Sequence, residues 1–222
     1  MDIFGCRLRG TKHCKSSRLP TAGSPSYSTR LLAFDGKTIV WSTGPASSHL
    51  ELCTIDPRNN ACAPIRLSLS PLFLPIESAA IDGELLALES FRFGGNVLSQ
   101  CLVDLATGDC NLSPISFGEP ISSPAVSGRR ITWGRSLPGE PTSIVFCEVD
   151  PIDGECASQR VTGSVVPSKS PELDGGRLVW VDERFGPAQI LSTRLPLLYA
   201  PSTLEMVAGR RRSAPVYSFD PA

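Results

Sequence analysis

Hydrophobic and polar residues alternate along this chain in short runs that Gly, Pro, Asp and Ser separate. One stretch is typical: the β-branched run Ser143–Val149 follows the loop Leu137–Pro141 and precedes the turn Asp150–Gly154. Runs of this length and composition are typical of β-strands. No segment keeps the 3.6-residue apolar period of an amphipathic helix. The pattern therefore predicts an all-β protein in which helix is scarce.

The strand pattern repeats four times. Each repeat has an Asp-Gly or Ser-Gly turn and then a hydrophobic strand, and the turn glycines, 47, 45 and 47 residues apart, are Gly36, Gly83, Gly128 and Gly175. Four short strands in about 45 residues match one blade of a β-propeller. The sequence therefore predicts a single β-propeller domain of four-stranded antiparallel blades, with four full repeats and a partial blade at each end. Trp41, Trp133 and Trp180 share one repeat position, with Leu88 in the remaining unit, and are predicted to form core between blades.

The predicted boundaries follow from the repeat register. Full blades are expected at 23–70, 71–116, 117–163 and 164–205, and partial blades at 1–22 and 206–222. Cys14 is in register with the later cysteines, and Ser213–Tyr217 resembles the innermost strand of a new repeat. Two interpretations of the partial blades stay open: they meet in one composite blade, or the sequence is a section of a larger ring, which we favour because the composite blade would lack its second strand.

The eight cysteines predict disulfides. Three pairs lie nine residues apart, one in each of the first three repeats: Cys53 and Cys62, Cys101 and Cys110, and Cys147 and Cys156. An Asp follows each first Cys by three residues, and Asn or Gly precedes each second Cys by two, as in a hairpin turn. Repeat four has Ser192 where the first Cys is expected and lacks both members of the pair, which favours bonding within pairs over metal binding or free thiols. Cys6 and Cys14 are predicted to pair across a hairpin one residue shorter.

Disulfides point to an oxidising compartment, so an extracytoplasmic location (periplasmic or secreted) is expected. The first residues lack the apolar core of a signal peptide, and no stretch has the length of a membrane span. With a net charge of −1 and a pI of about 6.1, the chain lacks the excess of positive charge that is typical of nucleic-acid-binding domains. No cofactor is expected, and no metal site, because the cysteine spacing is not that of a zinc site.

The unit SPELDGGRLVWVDERFGPAQIL, with the hairpin CLVDLATGDC, resembles the TolB-type propeller repeat over about residues 1–220. The chain departs from that pattern in its cysteine pairs and in lacking Gly-Asn after the Arg in repeats one and three. The resemblance implies a six- or seven-bladed ring, and such repeats occur in periplasmic protein-binding components and in gating domains of peptidases. Function is therefore not inherited from the fold.

Candidate binding residues lie in the loops between second and third strands. They are Arg92 in repeat two, Asp182, Glu183 and Arg184 in repeat four, and His49 in repeat one. In a propeller these loops share one face, here called the loop face, with the segments that enter the innermost strands. Loops on a rigid scaffold often carry binding residues. The alternative is that Arg and Asp pair within the turn and that His49 is a surface residue.

No catalytic residue is predicted, because neither histidine lies beside a nucleophile motif. The sequence favours a non-catalytic interaction module that binds protein or glycan on the loop face. The alternatives are the propeller of a larger secreted enzyme, such as a peptidase or polysaccharide lyase, and a structural spacer in a surface protein.

Overall fold

The structure is a computed structural model that describes residues 4–9, 13–18, 29–44, 49–59, 61–69, 75–92, 94–121, 124–140, 142–162, 169–182 and 189–195. Within 4–9 and 13–18, and at residues 92, 169, 170 and 182, it describes the backbone alone. Seventeen β-strands and no helix form in these residues. The all-β prediction is confirmed for this part of the chain.

The strands form five antiparallel sheets in which sequence neighbours pair. A terminal hairpin consists of β1 (Phe4–Arg9) and β2 (His13–Arg18). Blade 1 consists of β3 (Arg30–Phe34), β4 (Thr38–Thr43), β5 (His49–Thr54) and β6 (Ile65–Arg66). Blade 2 consists of β7 (Ile76–Asp82), β8 (Leu85–Arg92), β9 (Gly95–Leu102) and β10 (Ser113–Phe117).

Blade 3 consists of β11 (Ala125–Ser127), β12 (Arg130–Arg135), β13 (Ser143–Glu148) and β14 (Gln159–Arg160). Blade 4 has three strands in the described residues, namely β15 (Lys169–Asp174), β16 (Arg177–Asp182) and β17 (Gln189–Arg194). Three of the four predicted full repeats are therefore four-stranded sheets. The expected fourth strand of blade 4, like the predicted partial blade at 206–222, lies outside the described residues.

The blades pack face to face in chain order, because each sheet is apolar on both faces. We call the face toward the preceding blade the front and the face toward the following blade the back. On β8, Leu86 and Leu88 pack on blade 1 through the front, whereas Leu85 and Ala87 pack on blade 3 through the back. Alternate residues of a strand point to opposite faces, so one short strand contributes to two interfaces. Each fully buried Leu or Ile contributes about 1.5–3 kcal/mol to folding.

The predicted role of the recurrent Trp position, core between blades, is confirmed for repeats two to four. Trp133 packs in the cluster shared by blades 2 and 3, and Trp180 in the cluster shared by blades 3 and 4. Leu88 takes the same position between blades 1 and 2. Trp41 is buried on the front of blade 1, where it packs with Cys53 and Cys62. The position fills the front of a blade in every repeat.

Hydrogen bonds between consecutive turns join the blades and explain the Asp-Gly motif. In the first three repeats, the side chain that precedes the turn glycine accepts a hydrogen bond from the amide of the next blade's turn glycine. The donor and acceptor pairs are Gly83 N to Asp35 Oδ2 (2.9 Å), Gly128 N to Asp82 Oδ2 (2.6 Å) and Gly175 N to Ser127 Oγ (2.9 Å). We call these three contacts the turn joints. The carboxylate or hydroxyl before the glycine therefore binds the following blade. One repeat alone does not predict this role, because the donor and the acceptor belong to different repeats.

The three predicted disulfides within the blades form. Their Cα atoms are 5.5, 5.6 and 5.4 Å apart in Cys53–Cys62, Cys101–Cys110 and Cys147–Cys156. The paired cysteines are offset by two residues across the hairpin rather than directly opposite, since Cys110 bridges to Val103 and Cys156 to Val149. The backbone of the terminal hairpin has the same offset, with Leu8 opposite Cys14. A Cys6–Cys14 bond stays a prediction, because those side chains lie outside the described part.

The register of blade 4 corrects one prediction from sequence. Ile131 of β12 pairs with Cys147, and its counterpart in blade 4, Leu178, pairs with Thr193. Thr193, not Ser192, therefore has the position of the first cysteine. The apolar run of β17 is shorter than that of β13, so alignment by residue type places the strand one residue out of register.

Candidate functional site

The backbone places three of the five sequence-predicted binding residues at equivalent strand ends. His49 begins β5, Arg92 ends β8 and Asp182 ends β16, all at the edge opposite the Asp-Gly turns. The side chain of His49 is exposed. Glu183 and Arg184 lie outside the described residues, as do the side chains of Arg92 and Asp182. Ligand binding by this set, and its alternative of pairing within the turn, both stay predictions.

A cleft opens at the opposite edge, between the turns of blades 3 and 4. Its volume is about 650 Å³. Blade 3 contributes its turn and β12 start (Ser127–Arg130) with Glu148 of β13, and blade 4 contributes Asp174–Arg177 with Arg194 and Leu195. The turn joint from Gly175 N to Ser127 Oγ crosses the cleft and fixes the spacing of its two walls. Sequence reasoning did not find this cleft, because its two walls come from different repeats.

The blade 3 wall holds an ion pair that is largely buried. Arg130 Nε lies 3.7 Å from Glu148 Oε2, and the two side chains are 8% and 10% exposed. The two residues are directly opposite on β12 and β13. Arg130 Nη1 also donates to the carbonyl of Gly175 in blade 4 at 3.5 Å. Arg130 therefore has a structural role. Glu148 balances its charge within blade 3, and the hydrogen bond to Gly175 links it to blade 4.

Arg129 is committed as well, because its guanidinium donates to the carbonyl of Val149. The neighbouring amide of Val149 in turn donates to the carbonyl of Arg129 at 2.8 Å. The reciprocal bonds hold the end of β13 beside the turn of blade 3. Arg129 and Arg130 therefore shape the cleft rather than offer free donors to it.

Blade 4 has two arginines at the positions of that ion pair, on the back of its sheet. Arg177 and Arg194 are directly opposite on β16 and β17, as Arg130 and Glu148 are on β12 and β13. Both are exposed. Among the described residues no carboxylate lies within 4.0 Å of either guanidinium. Leu178 and Leu195 pack toward blade 3, so the alternate residues Arg177 and Arg194 point to the back of blade 4, and Asp174 lies directly opposite Arg177 on β15.

Buried acids elsewhere have hydrogen-bond partners. Glu51 is buried and accepts a bond from Trp41 Nε1 at 2.9 Å. Glu89 accepts from Ser78 Oγ at 2.6 Å and from Asn96 Nδ2 at 2.9 Å. Buried carboxylates are stable only with such partners. These two acids therefore hold neighbouring strands together.

The described ranges contain no group of three or more His, Cys, Asp or Glu side chains arranged as metal ligands. In the same ranges, no segment forms a helix that could traverse a lipid bilayer.

No protein-family model matches the chain, and no curated protein matches it. Among solved structures it is similar to a prolyl endopeptidase from a study of inter-domain dynamics in catalysis and specificity, with 11% identity and a TM-score of 0.53 over 84% of this chain. It is also similar to a post-proline cleaving enzyme from Rickettsia typhi, with 10% identity and a TM-score of 0.52, again over 84% of this chain.

The chain spans 30% and 31% of the lengths of those two structures. The structural neighbours are β-propeller domains, and at these identities the likeness concerns the fold alone. The finer resemblance to TolB-type repeats stays a prediction. Face-to-face meander sheets, the turn joints and these two neighbours lead to one conclusion: the chain has the β-propeller fold.

Proposed function

We propose that this protein is a non-catalytic interaction module that binds a protein or glycan partner at the edge of its blades. The observation that carries the proposal is the cleft between blades 3 and 4. Its walls are parts of two rigid sheets, and a turn joint fixes their spacing. A preformed concave site with a few polar groups is the usual form of a binding site. The buried acids, by contrast, are occupied in structural hydrogen bonds.

The three disulfides support an extracytoplasmic setting for this interaction. Disulfides form and persist in oxidising compartments. Each closes a hairpin at the same edge as the cleft, and the cross-links stiffen that edge. A partner outside the cytoplasm, at a cell surface or in the periplasm, therefore fits the proposal best.

The proposal is tested by screening the oxidised full chain against a glycan array and a peptide library. Two variants locate the binding face: Arg129→Gln alters the blade 3 side of the cleft, and His49→Ala alters the loop face that the sequence predicted. We expect saturable binding to a defined class of glycan or peptide, weakened at least tenfold by Arg129→Gln and unchanged by His49→Ala. The reverse response would place the partner on the loop face. Absence of binding to both libraries, or turnover of a bound member, would refute a non-catalytic binding role.

A further inference from the structure

We propose that residues 213–218 of this chain dock on the back of blade 4 as the first strand of a further blade, held there by Asp174 and Arg177. We call residues 213–218 the docking segment. The segment lies outside the described residues, and the surface that receives it lies within them. The inference goes beyond the proposed function, because this surface is the face of blade 4 that points away from the cleft.

The back of blade 4 is open at positions that the other blades bury. Arg177 is exposed and Val179 is half-buried on the back of β16. In blades 1 to 3 the residues at these two positions are buried beneath the next blade, and they are Thr38, Val40, Leu85, Ala87, Arg130 and Thr132. A sheet face with this repeat position uncovered is prepared for a further strand.

The described blades show which strand covers these positions. The innermost strand of each blade lies against the first and second strands of the preceding blade: β7 on β3 and β4, β11 on β7 and β8, and β15 on β11 and β12. The third strand has little part in this contact. A single innermost strand on β15 and β16 therefore covers Val179 and leaves Ile190 of β17 exposed.

Blade 3 shows how such a strand is held by polar contacts. Ser127 Oγ accepts a hydrogen bond from Gly175 N at 2.9 Å, and Arg130 Nη1 donates one to the carbonyl of Gly175 at 3.5 Å. Asp174 and Arg177 take the positions of Ser127 and Arg130, directly opposite each other on β15 and β16. Neither forms a hydrogen bond or ion pair with another described residue. Blade 4 therefore presents an acceptor and a donor for the backbone of one further residue.

The docking segment provides that residue at the distance the repeats require. A serine precedes the turn position by five residues in repeats two to four, and the series is Ser78, Ser123, Ser170 and then Ser213. These serines follow by 23, 20, 21 and 18 residues the ends of the third strands, marked by Ile55, Val103, Val149 and Leu195. Ser218 thus takes the place of the turn glycine. The contact needs only its backbone N–H and carbonyl, which a serine has.

The side chains of the segment match the surface. Val216 takes the position of Ile81, Val126 and Leu173, which pack on the preceding blade. Blade 4 also has the exposed Glu172 where blades 1 to 3 have alanine, and Arg210–Arg212 come directly before the docking segment. Unlike charges attract, so the back that carries an acid receives the strand that three cations precede.

The test is the hydrogen exchange of the Ser218 amide in the oxidised full chain, measured by NMR. A peptide of residues 209–222 gives the reference rate. We expect exchange at least tenfold slower in the protein than in the peptide, because the Asp174 carboxylate binds the amide. The slowing should not depend on protein concentration, since the segment and the surface belong to one molecule.

Two pairs of variants locate the contact, each compared with the peptide of its own sequence. Asp174→Ala removes the acceptor and should return the Ser218 amide to the peptide's rate. Glu155→Ala removes a negative charge from the exposed hairpin of blade 3 and should leave the slowing intact. Val216→Asp places a charge against the sheet and should abolish the slowing. Tyr217→Asp adds the same charge on the opposite face of the strand and should preserve it.

Three outcomes would overturn the docking. They are exchange in the wild type as fast as in the peptide, slow exchange that survives Asp174→Ala, and equal losses in Val216→Asp and Tyr217→Asp. Slowing that grows with protein concentration would overturn it as well, because the strand would then come from a second copy of the chain. No binding partner is present in these measurements, so neither result bears on the interaction module.

Discussion

Each turn joint depends on one acceptor side chain. Removal of the Asp82 carboxylate by Asp82→Ala leaves Gly128 N without its 2.6 Å partner in the neighbouring blade. We expect the free energy of unfolding to fall by about 0.5–1.5 kcal/mol, the net contribution of a typical hydrogen bond, because Gly128 N is exposed and water can replace the carboxylate. Urea denaturation of the oxidised protein measures it. Glu84→Ala, a change in the exposed side chain two residues later, is the control and should have an effect below about 0.5 kcal/mol. Equal effects of the two changes would contradict a role for the joint.

The Asp residue in each cysteine hairpin accepts a hydrogen bond from the turn backbone, as the sequence predicted. For Asp104, this makes the stability of the fold depend on pH. Backbone hydrogen bonds from Ala106 and Thr107 lower the pKa of the Asp104 carboxyl below its ordinary value. A carboxyl whose pKa is lower in the folded state stabilises the fold above its unfolded pKa, and the contribution is lost as the pH falls through the folded pKa.

Asp104→Asn should therefore be less stable than the wild type at neutral pH, with the difference shrinking as the pH falls below about 4. Urea midpoints measured from neutral to acidic pH follow that difference. The hydrogen bonds are local, so the same trend should persist in high salt. A difference that stayed constant with pH would show that ionised Asp104 contributes nothing specific.

At the scale of single residues, the sequence predicts local chemistry well and contacts between repeats poorly. The Asp acceptors within hairpins were predicted, because donor and acceptor lie two or three residues apart. The acceptor role of Asp35, Asp82 and Ser127 was not, since each donor lies 46 to 48 residues away. Arg177 and Arg194 form a pair only through the register of β16 and β17, which residue type alone leaves uncertain by one position.

At the scale of the hairpin, blade 2 packs closely against its neighbour. Gly108 has a φ of +80°, and a Cβ at this position would lie 2.4 Å from the carbonyl oxygen of Arg66 in blade 1. Gly154 has the same place in the blade 3 hairpin, with a φ of +73°, but a Cβ there would meet no atom within 4 Å. Both positions have the left-handed backbone that strains other residues, but only at Gly108 would a new Cβ clash with a neighbouring atom.

Gly108→Ala should therefore cost more than Gly154→Ala. For Gly154→Ala we expect about 1 kcal/mol from the left-handed backbone alone, and for Gly108→Ala at least about 2 kcal/mol, because the carbonyl of Arg66 must also move. Thermal or urea unfolding of the two variants gives the comparison. Equal losses of stability in the two variants would show that the carbonyl of Arg66 moves away from the new Cβ without an energetic cost.

The strands and hairpins were the features that the sequence predicted best. Turn glycines, β-branched runs and cysteine spacing predicted the four-stranded sheets of repeats one to three and the three hairpin disulfides. Each signal is local, and four repeats reinforced it. The third strand of blade 4 was misaligned by one residue because it lacks the cysteine that marks the register elsewhere.

At the scale of the molecule, the back of blade 4 differs from the backs of the other blades. Leu50, Leu98 and Ile144 take one repeat position and are 1%, 0% and 0% exposed beneath the following blade. Ile190 takes the same position in blade 4 and is 78% exposed. Leu31 and Phe34, on the innermost strand of blade 1, are also more than half exposed. The repeat position that is buried on the backs of blades 1 to 3 is therefore exposed on the back of blade 4.

This exposure predicts unequal effects of matched truncations. Ile144→Ala should destabilise the protein by about 2–5 kcal/mol, whereas Ile190→Ala should change stability by less than about 0.5 kcal/mol. Urea denaturation of both variants measures the effects. A large cost for Ile190→Ala would show that further protein covers the back of blade 4 in solution.

The turn joints also bear on how such a chain can change its number of blades. Blades 2 and 3 each provide an acceptor to the next blade and an amide donor to the preceding one, so a duplicate of either unit would contain both halves of the connection. Tandem duplication or loss of one unit would preserve every remaining joint without any compensating substitution. The same arrangement makes the order of blades directional. A unit fits between any two others, but only in one orientation along the chain.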